Sequence, residues 1–287
     1  MKSSKLLQKL ILFLSFQSLI VGQNFVLDYK IGNFTSASAF SINSAGFIFV
    51  TDDGDDSLIK LDTIGNLIKE IGGYGWGESA FDTPSDVFAT ALNVLVCDKR
   101  NHRVQSFDKD LNFISELYTR ESNNMQERFG FPLSCALSSM GDLFVLDSEN
   151  SRILKFDLFG SFIQNFGGFD AGIFSLRKPK KIALSANDFV FVLDDSSLIA
   201  FDQFGNGKAK LKIQNSFTGI KVTTDMIILN DECDIYFKSV SLDETPFSKI
   251  NLVGFNKDEQ IISAYVFNNK LYVLTPKEIS VFIKISD

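Results

Sequence analysis

The sequence predicts an all-β fold, a six-bladed β-propeller in which a strand from the N-terminus completes the last blade, and three observations carry that expectation. The chain repeats itself: Pro84 to Pro132 is 48 residues, Pro132 to Pro179 is 47, and both stretches follow one pattern. A self-similar period of that size marks a solenoid or propeller, in which no unit buries its apolar surface alone. Each copy also contains a run that is apolar on both faces (NVLVC, DLFVL, DFVFVL, MIIL). Such a run needs cover on both sides, which radially stacked sheets supply. Finally, the last copy is one strand short and the N-terminus carries one strand too many. Pairing them removes two open edges.

Taken in order, the chain opens on Lys2, Lys5 and Lys9, the apolar run LILFLSFQSLIV (10–21) and a small residue, Gly22. This is the pattern of a secretory signal, too short for a membrane span, so residues 1–22 are expected to be cleaved. Residues 23–287 then form a single exported domain, secreted or periplasmic, with no stable membrane insertion. QNFVLDYKIGN (23–33) matches the ends of later copies and is the spare strand. Full copies occupy 36–73, 84–117 and 132–168; 179–213 is shorter, 217–252 is degenerate, and 259–285 stops after three strands. The register supports this division. Asp52 to Asp62, Asp98 to Asp108 and Asp147 to Asp157 are each ten residues apart, while Asp194 to Asp202 is eight. Shortening a hairpin by two residues keeps every side chain on its face.

These copies resemble NHL repeats, a family named for an Asn-His-Leu triplet. Asn101-His102-Arg103 and Asn150-Ser151-Arg152 stand at the matching place, and the Phe81–Pro84 and Phe129–Pro132 loops end in the family's Phe-x-x-Pro. The likeness is strong over 84–179, fair over 36–83 and 180–213, and weak beyond 214. It implies a β-propeller and no single activity, because many functions are built on that fold.

Composition narrows the partners. Among 287 residues there are 30 Phe against one Trp and six Tyr, so most aromatics must be interior. Removing 1–22 takes three lysines and no acids, moving the formal net charge from −7 to −10. An acidic exterior argues against nucleic acid and anionic lipid. Three Cys, at 97, 135 and 233, give no disulfide framework; Cys97 and Cys135 read as buried thiols.

Three places are candidate sites. The turns between second and third strands gather Asp52, Asp53, Asp55, Asp56, Asp98, Asp147, Asp194, Asp195, Asp231 and Glu232 on the face that also carries the blade-to-blade loops. The repeating Asp reads as an acceptor for turn amides, with Arg103 and Arg152 as local partners. The extra acids of TDDGDDS (51–57), Asp52, Asp53, Asp55 and Asp56, could instead hold Ca²⁺ through hard oxygen ligands. Second, glycine-flanked Tyr74 and Trp76 are candidate stacking residues, whereas Phe81 and Phe174 are expected to plug the gaps between blades. Third, aligning the first strands puts Ala39, Asp86, Ser134, Lys181, Gly219 and Ser263 at the mouth of the central channel, with Asp86 and Lys181 as a candidate pair. His102 is the sole histidine. A zinc site with two or three imidazoles, of the kind amidating lyases with this fold use, is therefore out of reach. No catalytic constellation is assigned. The sequence points to a non-catalytic propeller binding a protein, peptide or glycan. The alternative is a calcium-dependent hydrolase or lyase at the channel mouth, by analogy with six-bladed lactonases. One glycosylation sequon, Asn33-Phe34-Thr35, comes directly after the spare strand.

Overall fold

Six sheets, antiparallel but for one short parallel pair in the sixth, stand around one axis, as the repeat count requires. The computed structural model describes residues 23–213 and 215–285; the expected signal at 1–22 lies outside them. The first blade comprises Ala37–Ile42, Ile48–Asp52, Ser57–Leu61 and Leu67–Gly72. The second comprises Pro84–Ala89, Asn93–Asp98, Arg103–Asp108 and Phe113–Tyr118. The third is Pro132–Leu137, Leu143–Asp147, Arg152–Phe156 and Phe162–Phe166. The fourth is Pro179–Leu184, Val190–Asp194, Ser197–Phe201 and Gly207–Lys212. In the fifth, Gly219–Val222, Met226–Asn230 and Ile235–Ser239 precede an outer strand of only two residues, Ser248–Lys249.

The sixth blade contains Ser263–Phe267, Lys270–Leu274 and Ile279–Lys284, and the N-terminal strand Asn24–Ile31 supplies its fourth member. That strand pairs antiparallel with Ile279–Lys284, from Phe25 opposite Lys284 to Ile31 opposite Ile279. The closure expected from the spare strand is therefore present. One strand lies elsewhere than the sequence suggests: Asn251–Val253, at the end of the fifth copy, crosses over and pairs parallel with Asn24–Val26. It covers the edge that the closing strand would otherwise leave open.

The core is six seams. Each of the six apolar clusters joins one blade to the next; Phe49 and Leu58 of the first blade, for example, pack with Val87, Val94, Val96 and Phe107 of the second. Adjacent residues of one strand feed opposite seams, with Val94 and Val96 on one side and Leu95 and Cys97 on the other. That is why the second strands are apolar throughout. Ile48–Asp52, Leu143–Asp147 and Val190–Asp194 are buried at every position.

A bulge interrupts the first strand of each of the first four blades, between Ala37 and Ala39, Pro84 and Asp86, Pro132 and Ser134, and Pro179 and Lys181. An extra residue there bends the strand and re-aims the side chains beyond it. Three of the four bulge residues also bind the next blade. Ser38 donates to the Pro84 carbonyl at 2.6 Å, Ser85 to the Pro132 carbonyl at 2.8 Å, and Lys180 to the Phe217 carbonyl at 2.6 Å.

Candidate functional site

In the first four blades the repeating aspartate is a latch between the blade and the loop that enters it. Asp52 accepts from the amides of Thr35 and Ser36 at 2.6 and 2.7 Å. Asp98 accepts from the Asp82 amide, Asp147 from the Gly130 amide, and Asp194 from the amides of Arg177 and Lys178. All four carboxylates are buried. The structural reading of this position is therefore right in kind, but the main partners are loop amides from the preceding connection as well as turn amides. It also removes these four residues from the acidic surface that the sequence suggested.

In the second blade the latch becomes a clamp. Asn101 Nδ2, Arg103 Nε and Gln105 Nε2 all reach Asp98 Oδ2, at 2.9, 2.8 and 3.3 Å. The same side chains hold the loop above. Asn101 donates to the Gly75 carbonyl, Arg103 to those of Trp76, Gly77 and Ala80, and Gln105 to that of Ala80. Burial pushes the Asp98 carboxyl up, against the pull of the Asp82 amide, Asn101 and Arg103. Gly72, at φ +130°, starts the loop where a Cβ would meet the Asp56 carbonyl at 2.5 Å.

Held this way, the loop presents Tyr74 and Trp76 to solvent, 78% and 60% exposed. Phe81, fully buried, plugs the seam below them as expected. The corresponding expectation for Phe174 is corrected. Leu176, three residues before Pro179 as Phe81 is before Pro84, fills the seam, while Phe174 is half-buried against Phe201. The two loops are equally long, so Leu176 is the residue that aligns with Phe81, and Phe174, at the end of a short 3₁₀ turn over Gly172–Phe174, aligns with Ser79. Phe169 in the same loop is 96% exposed. Between these loops lies His102, whose Nδ1 accepts from the Phe131 amide at 3.1 Å and faces Arg120 at 3.2 Å. Burial and the Arg120 charge push its pKa down, with Glu149 pulling the other way.

The acids of 51–57 do not converge. Asp52 is occupied by amides, Asp55 accepts from the Thr35 hydroxyl, and Asp56 accepts from the Thr83 amide at 2.8 Å. Asp53 is exposed, its pKa raised by partial burial and by the Asp56 charge. Among the described residues no group of three or more His, Cys, Asp or Glu side chains is arranged around a common point.

The channel matches the sequence alignment closely. Ala39, Asp86, Lys181, Gly219 and Ser263 line its narrow part, a cavity of about 20 Å³. Lys181 Nζ meets Asp86 Oδ1 at 3.0 Å, bridging the second and fourth blades, and Ser134 donates to Asp86 Oδ2 from behind. The aligned positions end one step short of a second ring. The next inward-facing position, two residues on, gives Ser41, Phe88, Ala183, Lys221 and Tyr265, which line a wider cavity of about 200 Å³ below the narrow part. Lys221 stands in the degenerate fifth copy, where alignment by repeat is weakest, yet adding two to each aligned residue finds it. Cys135 is also in that wall; its neighbour Cys97 is buried, and burial, then Cys135 itself, raises the Cys97 thiol.

No known protein-family profile matches the chain. The protein named brain tumor of Drosophila melanogaster is 28% identical over 142 residues, which cover 48% of this chain and 13% of that protein. The chain thus spans a small fraction of that relative's length. Among solved structures, virginiamycin B lyase from Staphylococcus aureus has a TM-score of 0.63 at 10% identity, covering 90% of this chain and 99% of the lyase. U3-55K has a TM-score of 0.65 at 9% identity, covering 90% of this chain and 84% of that one. At such identities the likeness shows the propeller fold alone.

Proposed function

We propose that this chain is an exported, non-catalytic NHL-type propeller that binds a protein or peptide, or a glycan, on the face carrying the blade-to-blade loops. The observation that carries the reading is the pairing of exposure with rigidity. Tyr74 and Trp76 stand in solvent on a loop whose carbonyls are held by three buried side chains, Asn101, Arg103 and Gln105. Large aromatics fixed in advance lose little freedom on binding, and such residues dominate interface energies. Phe169 and the half-exposed Phe131 extend the apolar character of the same face. The distant likeness to brain tumor protein over half the chain is consistent with an NHL-type propeller. Export rests on the pattern of residues 1–22.

The competing reading, a calcium-dependent hydrolase or lyase at the channel mouth, has less to work with. Asp86 is the one acid among the described channel-lining residues, and Lys181 and Ser134 already engage it. The test is recovery of ligands from secreted-fraction extracts on immobilised protein, wild type beside Tyr74→Ala/Trp76→Ala. Because both side chains are exposed, the double variant should melt as wild type does and lose most of its captured material. Equal recovery on the two surfaces would remove this patch from consideration.

A further inference from the structure

We infer that the wide end of the central channel is a binding site for a small amphipathic monocarboxylate, its carboxylate on Lys221 and its apolar part between Phe88, Leu184 and Val222. The cavity holds about 200 Å³, roughly six or seven water-sized groups at about 30 Å³ each. The apolar residues Ile42, Val87, Phe88, Ile182, Leu184 and Val222 form much of its wall. This is the usual make-up of a small-ligand pocket, an apolar body with few polar groups that fix orientation.

Besides Asp86, which Lys181 and Ser134 engage, and the Cys135 thiol, the polar side chains of this wall are donors. Among the described residues Lys221 Nζ has no hydrogen-bond acceptor and no ion-pair partner; it lies 6.0 Å from the Phe40 ring. The Tyr265 hydroxyl, on the neighbouring blade at the same register, also has no acceptor among them, and burial raises its pKa. The Ser41 oxygen accepts from the Ala89 amide at 3.0 Å, which leaves its proton to donate. Three donors face one cavity, and a carboxylate is an acceptor-only group.

The charge balance points the same way. Asp86, the one carboxylate among the described lining residues, is engaged by Lys181 and Ser134 above. That leaves the Lys221 amine with no ion-pair partner among the described residues. Burial lowers its pKa, with Asp86 opposing the shift and Lys181 adding to it. An anion would relieve that cost, since a desolvated charge is retained at low cost only when it is paired. Inorganic anions lack the apolar body that the apolar wall fits, so the ligand class is an organic acid.

Calorimetric titration of the full chain with hexanoate tests this, with hexanol, hexylamine and acetate as comparisons. Hexanoate should bind saturably, and the alcohol, the amine and acetate should each bind at least about tenfold more weakly, the loss of roughly one charge-assisted hydrogen bond or of the apolar contact. Lys221→Met should weaken hexanoate by a similar factor without lowering the melting temperature. Leu184→Trp, which fills the cavity and leaves Lys221 in place, should abolish it. Equal binding of hexanol and hexanoate, unchanged affinity in Lys221→Met, or no saturable hexanoate binding would each overturn the assignment. Tyr74→Ala/Trp76→Ala should leave hexanoate binding intact, which separates this site from the loop face.

Discussion

Arg103 shows how much one side chain can hold in place. It is buried, pairs with Asp98 at 2.8 Å and Glu116 at 2.6 Å, and donates to three loop carbonyls. Its removal strands a buried carboxylate, which typically costs about 3–5 kcal/mol. Arg103→Met should therefore destabilise the protein by about that much in urea titrations, and also lose binding through Trp76. Arg103→Lys should recover little, because a single ammonium cannot serve two carboxylates and three separated carbonyls. Wild-type stability in Arg103→Lys would contradict the clamp. Part of the clamp is legible in the sequence. The five-residue spacing of Asp98 and Arg103 is a local pattern, repeated at Asp147 and Arg152. The carbonyls of Trp76, Gly77 and Ala80 lie 23 to 27 residues away along the chain, and only the fold brings them to the guanidinium.

Among the elements, the turns between third and fourth strands repeat one chemistry. Asp62, Asp108, Asp157 and Asp202 each accept from the amides two and four residues on. Asn66, Asn112 and Asn206 add a side-chain bond. In the sequence these aspartates count register; their acceptor role is the reason they recur, since a carboxylate can satisfy several turn amides at once. Partial burial raises the Asp202 pKa, but the Asn206 side chain, Lys208 and the turn amides outweigh it and hold the value at about 2. A folded-state value below the ordinary 3.8 contributes stability that is fully present above that pH and lost as the pH falls through about 2. The stability gap between wild type and Asp202→Ala should accordingly be constant near neutrality and close on acidification across that window, as read by thermal melts. A gap independent of pH down to that value would count against the turn as the source.

For the whole molecule, closure is the decisive event. The first strand of the described chain and the last share the sixth sheet, so folding cannot complete until the ends meet, a contact of high sequence separation. A chain beginning at Gly32 would leave the Ile279–Lys284 edge bare and strip Ile31 from the seam it shares with Phe40 and Ile279. It should melt lower and self-associate through that edge in size-exclusion chromatography. A monomer with unchanged melting would show that the closing strand is dispensable. Blade number, the order of strands within the repeated blades, the closing strand and the inward register of the first strands were all determined by the sequence alone, because each arises from a local period that the chain writes out several times. The structure decided which groups meet across blades, such as Ser134 with Asp86 at a separation of 48 residues and Lys181 with Asp86 at 95. It also decided that Leu176 rather than Phe174 fills its seam, that Asn251–Val253 joins the sixth sheet, and that Lys221 faces the channel without a partner among the described residues. Those outcomes depend on the curvature that brings one repeat against the next, and a linear period states how often a unit recurs while leaving open which of its atoms the ring will press together.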